Sequence, residues 1–131
     1  MIALFRNLII FSYVVYAVFF FMPYFEMYLY EKEVLDALSW SGYGAIVSSN
    51  QIVSYIFFLG YTISLLGLFY FKSWARTLFI ILTTLSVILT ALSGVSVLPG
   101  VEGALLNMTI LADGATIAIM YFTSISAKFS R

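Results

Sequence analysis

The chain has 131 residues, of which 63% are hydrophobic and 9% charged, with six basic and six acidic residues in balance. A water-soluble domain carries roughly a quarter of its residues as charges, so most of this surface calls for lipid as its solvent. The balanced charge offers no basic surplus to nucleic acid, and the absence of cysteine and histidine excludes disulfides, Cys or His metal sites and any chemistry built on a thiol or an imidazole.

The first apolar run covers residues 8–30, "LIIFSYVVYAVFFFMPYFEMYLY", and follows Arg6. It is about twice as long as a signal-peptide core and has no small-x-small cleavage site, so an uncleaved signal anchor is expected. Tyr13, Tyr16, Phe20 and Tyr24 share one helical face, an aromatic stripe best read as core. Pro23 should bend the span near its outer end. Glu26, one turn later, should reach water at the interface.

Residues 31–47 form the only sizeable segment between spans. Val34, Leu35 and Leu38 are spaced as on a helix and Trp40 follows them, which predicts a short helix lying on the membrane surface. The second run covers residues 48–71, the third 75–97 and the fourth 102–126, with Pro99 and Gly100 turning the chain between the last two. Each run is about 20 residues or longer, enough to cross a ~30 Å hydrocarbon core at 1.5 Å per residue. Long continuous runs do not suit a closed barrel, which needs short alternating strands. No linker or repeat divides the chain. The expectation is one all-α domain, an integral membrane four-helix bundle.

Small residues mark where these helices should meet. Gly60, Ser64 and Gly67 lie on one face of the second span. Thr83, Ser86, Thr90 and Gly94 do so on the third, and Gly114 and Ala118 on the fourth. Small side chains let membrane helices approach closely, so packing seams are expected there. Arg6, Lys72, Arg76, Lys128 and Arg131 flank one side of the spans. Lys32 stands on the other with Glu31, Glu33, Asp36 and Glu102. The positive-inside rule then places both termini and the 72–76 turn in the cytoplasm, which implies a bacterial cytoplasmic (inner) membrane. Tyr70 and Trp74 at one face, and Tyr28, Tyr30, Trp40 and Tyr43 at the other, suit interfacial aromatic belts.

The residue that stands out is Asp113, within "TILADGATIAIMY". At 1.5 Å per residue it lies roughly 16 Å from Glu102 and roughly 22 Å from Lys128, near mid-membrane. An Asp there costs ~2.5–3.5 kcal/mol on insertion, against ~0.3–0.6 kcal/mol returned by each large apolar neighbour. It must therefore face the bundle interior or a wet cavity. Leu106, Thr109, Thr116 and Met120 lie within about one-sixth of a helical turn of it, so Thr109 and Thr116 form a polar stripe with the acid at its centre. Apart from Arg76 at the very edge of the third, no lysine, arginine or histidine lies within a span to pair with it. A protonated carboxyl is expected, donating across the bundle to a hydroxyl or carbonyl, with Tyr61 and the third-span Ser/Thr stripe as candidate partners. Three roles fit: a neutral link fixing helix register, a proton or cation site, or a contact for a basic residue on a partner's helix.

Function follows by exclusion. Intramembrane proteolysis by carboxylates needs two embedded acids, and Ser-His and HExxH schemes need histidine. No Gly-rich phosphate loop is present, so neither an enzyme nor a resident cofactor is expected. In outline, four spans in a short chain resemble both the small multidrug transporters and the four-span immunity proteins that protect bacterial membranes from pore-forming toxins. Both resemblances are of architecture, and no motif carries either. The expected role is contact with a membrane-protein partner, or self-association, through helix–helix packing within the bilayer. This would suit an accessory subunit or an immunity-type protein. The alternative is an oligomeric proton- or cation-coupled carrier of small solutes built on Asp113.

Overall fold

The computed structural model describes residues 1–48 and 50–130, with Ser130 described in its backbone only. Arg131, assigned above to the cytoplasmic flank, lies outside the described residues. The chain is all-helical, with no strand among the described residues, and four of its helices are long and apolar enough to cross a membrane.

Helix α1 runs Ile2–Phe21, six residues earlier than the apolar run suggested. It can do so because Arg6 does not mark an end. Its guanidinium lies 4.8 Å from the Phe69 ring centroid and 5.5 Å from that of Phe71, so the charge is accommodated beside aromatic faces. Pro23 does more than bend the span. Pro23 has no N–H with which to continue the α-helical ladder, and the chain tightens into a 3₁₀ turn at Met22–Tyr24. One helical turn, α2 (Glu26–Leu29), follows, and then the exposed surface helix α3 (Lys32–Leu38).

Helix α4 (Gln51–Phe69) starts at Asn50, whose side chain accepts from the Ile52 N–H at 2.9 Å. It ends in a paired-bond helix stop: the Lys72 N–H reaches the Gly67 carbonyl at 2.8 Å and the Phe71 N–H that of Leu68 at 3.0 Å. Phe71 therefore takes the left-handed φ of +56° that glycine usually supplies here. Its ring is held between Phe5 and Phe129, at 5.8 and 5.4 Å. Helix α5 (Ser73–Leu92) follows directly.

Helix α5 ends at Leu92, five residues before the anticipated end of the third span at Val97, and Gly94, with φ +77°, turns the chain away from the helical path. The irregular stretch beyond it is hydrogen-bonded to the loop. Gly42 N–H donates to the Val95 carbonyl at 2.7 Å, and Val95 N–H returns to the Tyr43 carbonyl at 3.0 Å. A Cβ on Gly94 would stand 2.5 Å from that Tyr43 oxygen, so this glycine serves a loop contact rather than a helix seam. Pro99 opens α6 (Gly100–Phe122), and a 3₁₀ segment, Ser124–Ser130, folds back under the bundle.

Helix α1 packs along α6 and α4 along α5. The two pairs join chiefly through α1 and α4. The core gathers at the end of the bundle that carries both termini: Phe5, Ile9, Leu65, Leu68, Ala75, Phe79, Met120, Ile125 and Phe129. Towards the opposite end, which carries the loop, α1 and α4 are joined by rings instead. Phe20 stacks on Phe58 at 4.4 Å and meets Tyr55 at 5.6 Å.

Candidate functional site

Three helices converge on Asp113 at mid-height. Ser12 of α1 donates its hydroxyl to Asp113 Oδ1 at 2.8 Å, and Tyr61 of α4 donates to the same oxygen at 2.5 Å. The two hydroxyl oxygens are themselves 2.7 Å apart. Ser12 and Tyr61 are buried and Asp113 is partly so. The Tyr61 ring is clamped by Tyr16 at 4.3 Å and Phe79 at 5.8 Å, which fixes where its hydroxyl points.

Tyr61 was legible as a partner, and its hydroxyl meets the carboxyl oxygen directly. Ser12 was not foreseen. It is the one small polar residue among bulky neighbours in its span, and its position midway along α1 matches the depth of Asp113; that depth match was the available signal. The third-span hydroxyls do not take part. Thr83 bonds the carbonyls of Phe79 and Ile80, Ser86 that of Thr83, and Thr90 that of Ser86. Short hydroxyls on a helix readily close on their own preceding turn, and no reach is left for a neighbour.

Thr109 and Thr116 lie buried on the inward face of α6, each donating to a carbonyl four residues back, Leu105 and Ala112. They line the same face as Asp113 without bonding to it. Of the small-residue positions, Gly67 makes the closest approach: a Cβ there would meet that of Ala75 at 2.5 Å. Ser64 is fully buried and bonds the Tyr61 carbonyl, while Gly60 faces the flexible end of Leu82 at 3.3 Å. Ser86 and Thr90 are exposed to a groove between α1, α4 and α5 that reaches Tyr16.

Gly114 and Ala118 look away from the bundle. A Cβ on Gly114 would meet nothing within 4 Å. With Ala104, Asn107, Leu111 and Ala115 they form one continuous exposed face of α6, on the side opposite Asp113. Asn107 is the notable member. Its amide is exposed about 10 Å into the helix, at 1.5 Å per residue from Gly100.

No cluster of three or more Asp or Glu suited to a metal ion occurs among the described residues. No known protein family, curated protein or solved structure matches this chain.

Proposed function

We propose that the chain is a small non-enzymatic protein of the bacterial inner membrane that works by docking the outward face of α6 against a membrane-spanning helix of another protein. The observation that carries this reading is the α6 face itself. Small residues there leave backbone-deep room, and Asn107 offers an amide that hydrocarbon cannot satisfy. A helix with small residues at the contact and a polar side chain level with Asn107 fits both features. The Ser12–Tyr61–Asp113 node serves as the link that fixes α1, α4 and α6 in register, so that this face is presented as a rigid ridge.

The orientation belongs to the same proposal. Arg6, Lys72, Arg76 and Lys128 gather at the termini end, while Glu26, Glu31, Glu33, Asp36 and Glu102 gather at the loop end. The termini end then faces the cytoplasm.

A photo-crosslinking side chain at Leu111, which is 73% exposed, tests the docking face in native membranes. A discrete protein adduct is expected, lost when Gly114→Leu fills the face and absent for a probe at Ile63 on α4. An adduct at both positions, or only lipid adducts at Leu111, contradicts the reading. An adduct of twice the chain mass would make the partner a second copy.

The carrier reading draws on the groove that ends at Tyr16, one ring from the Asp113 node. It requires pH-dependent flux in liposomes that disappears in Asp113→Asn. The docking proposal expects flux no greater than that of empty vesicles.

A further inference from the structure

The loop end holds a second cavity of about 670 Å³, within the range of small-molecule sites. Its walls include the rings of Phe19, Phe20, Tyr24 and Tyr55, and two carboxylates, Glu26 and Glu102, line it. Gln51 and Ser54 add polar groups, and no lysine or arginine lines it. The Tyr24 and Tyr55 hydroxyls bond each other, which ties α4 to the 3₁₀ turn after α1 and holds both rings at the wall.

Glu102 is the anomaly. It is 3% exposed, and its Oε1 has no hydrogen-bond partner. The cause is local. Glu102 sits at the third position of α6, where a glutamate commonly reaches back to the N–H of the capping residue. Here the capping residue is Pro99, which has no N–H to give. The positive end of the α6 dipole favours the charge but leaves the oxygen unpaired. Tyr30 faces the same carboxyl, yet no hydrogen bond of ordinary geometry joins them, and the Tyr30 hydroxyl is likewise unpartnered. Buried polar groups are nearly always satisfied, and the Tyr30 hydroxyl does not satisfy this one, so Glu102 stands as an underbonded carboxyl in the cavity wall. Glu26 stands close enough to feel this neighbour: partial burial, and then the Glu102 charge, hold the Glu26 carboxyl above its usual range.

We infer that this chamber binds an organic ammonium ion, its charge shared between Glu102 and Glu26 and its apolar body against the four rings. An ammonium brings the positive charge that this wall lacks, donates to carboxylates and is attracted to aromatic faces. A bare metal ion would leave the ring-lined volume unused. The inference does not depend on the α6 docking face. Two sources carry this chemistry: a free amine from solution, or the ethanolamine headgroup of a phospholipid at the bilayer surface.

Calorimetric titration of the purified chain in a neutral maltoside detergent tests it, with phenethylammonium and a short-chain phosphatidylethanolamine as probes. The neutral analogue 2-phenylethanol and a short-chain phosphatidylglycerol are the controls. Saturable one-to-one binding of at least one ammonium probe is expected, and the tighter of the two identifies the source. Glu102→Gln should weaken it by about tenfold or more, the scale of a lost hydrogen bond to a charged group. Glu26→Gln, at a less buried position, should weaken it less, and Tyr30→Phe should leave it nearly unchanged. Circular dichroism melts confirm that each variant folds. Binding by neither ammonium, equal binding of the controls, or unchanged affinity in a folded Glu102→Gln would overturn the inference.

Discussion

The two ends of this bundle are built differently, and Asp113 lies at the boundary. On the termini side, aliphatic and aromatic side chains close on one another: Phe5, Leu68, Ala75, Phe79 and Met120 are fully buried. The docked Ser124–Ser130 segment seals that end, with Phe129 meeting Phe5 and Phe71. On the loop side few side chains are fully buried, and stacked rings and a loop held by backbone hydrogen bonds bridge the helices. The difference teaches that a layer of three hydroxyl and carboxyl groups can end a close-packed region. Below it, packing specifies the helix positions; above it, a few ring contacts and backbone bonds do.

The contrast breaks most visibly if ring removal costs the same at both ends. Phe79→Ala should lower stability in detergent by about 3–5 kcal/mol, the usual range for a phenylalanine deleted from a close-packed core. Phe20→Ala, beside a cavity, should cost clearly less. Thermal or denaturant unfolding of the two variants checks this, and equal losses would erase the distinction.

Added volume sharpens it from the other direction. Gly67→Ala places a methyl 2.5 Å from the Ala75 Cβ and should cost about 1–3 kcal/mol by overpacking. Gly60→Ala meets only the mobile tip of Leu82 and should be nearly neutral.

The boundary layer predicts an intermediate effect. Asp113→Leu strands the Ser12 and Tyr61 hydroxyls and should cost ~1–3 kcal/mol. Asp113→Asn keeps an acceptor and should retain most of the stability. If both variants melt together with the parent chain, the node is not holding helices.

The smallest effect lies at the loop end. Glu26's carboxyl is raised above its usual value, by burial first and by Glu102 second, so the folded chain takes up that proton before the unfolded chain does. Stability should therefore rise slightly as pH falls through the folded value, with the gain complete below the unfolded one. Glu26→Gln should flatten that slope in melts taken from neutral to mildly acidic pH.

Much of this architecture could be read from the sequence because the evidence for it is long-range. Four apolar runs of membrane length announce four helices, and Asp113 stands out against them. The helix ends were less legible, since each depends on a specific contact. Arg6 stays within α1 because Phe69 and Phe71 receive its charge, and Phe71 replaces a glycine because Phe5 and Phe129 hold its ring. Helical spacing identified the small-residue faces but could not say which way each one points: Gly67 turns inward and Gly114 outward on equally regular patterns. Glu102 looked like an interfacial charge. Its burial brings it beside Glu26 and Tyr30, which are far from it in sequence, and its unpaired oxygen follows from Pro99 lacking an N–H.

The most direct test of a packed half and an open half meeting at Asp113 is cysteine accessibility, which the chain suits because it has no cysteine of its own. Ser54→Cys and Ser93→Cys line the loop-end cavities, whereas Ser64→Cys and Thr116→Cys sit in the buried layer beyond the node. A small, water-soluble thiol reagent applied to the folded protein in liposomes should modify the first pair quickly and leave the second pair unmodified. Equal modification of all four positions, or protection of all four, would contradict the division.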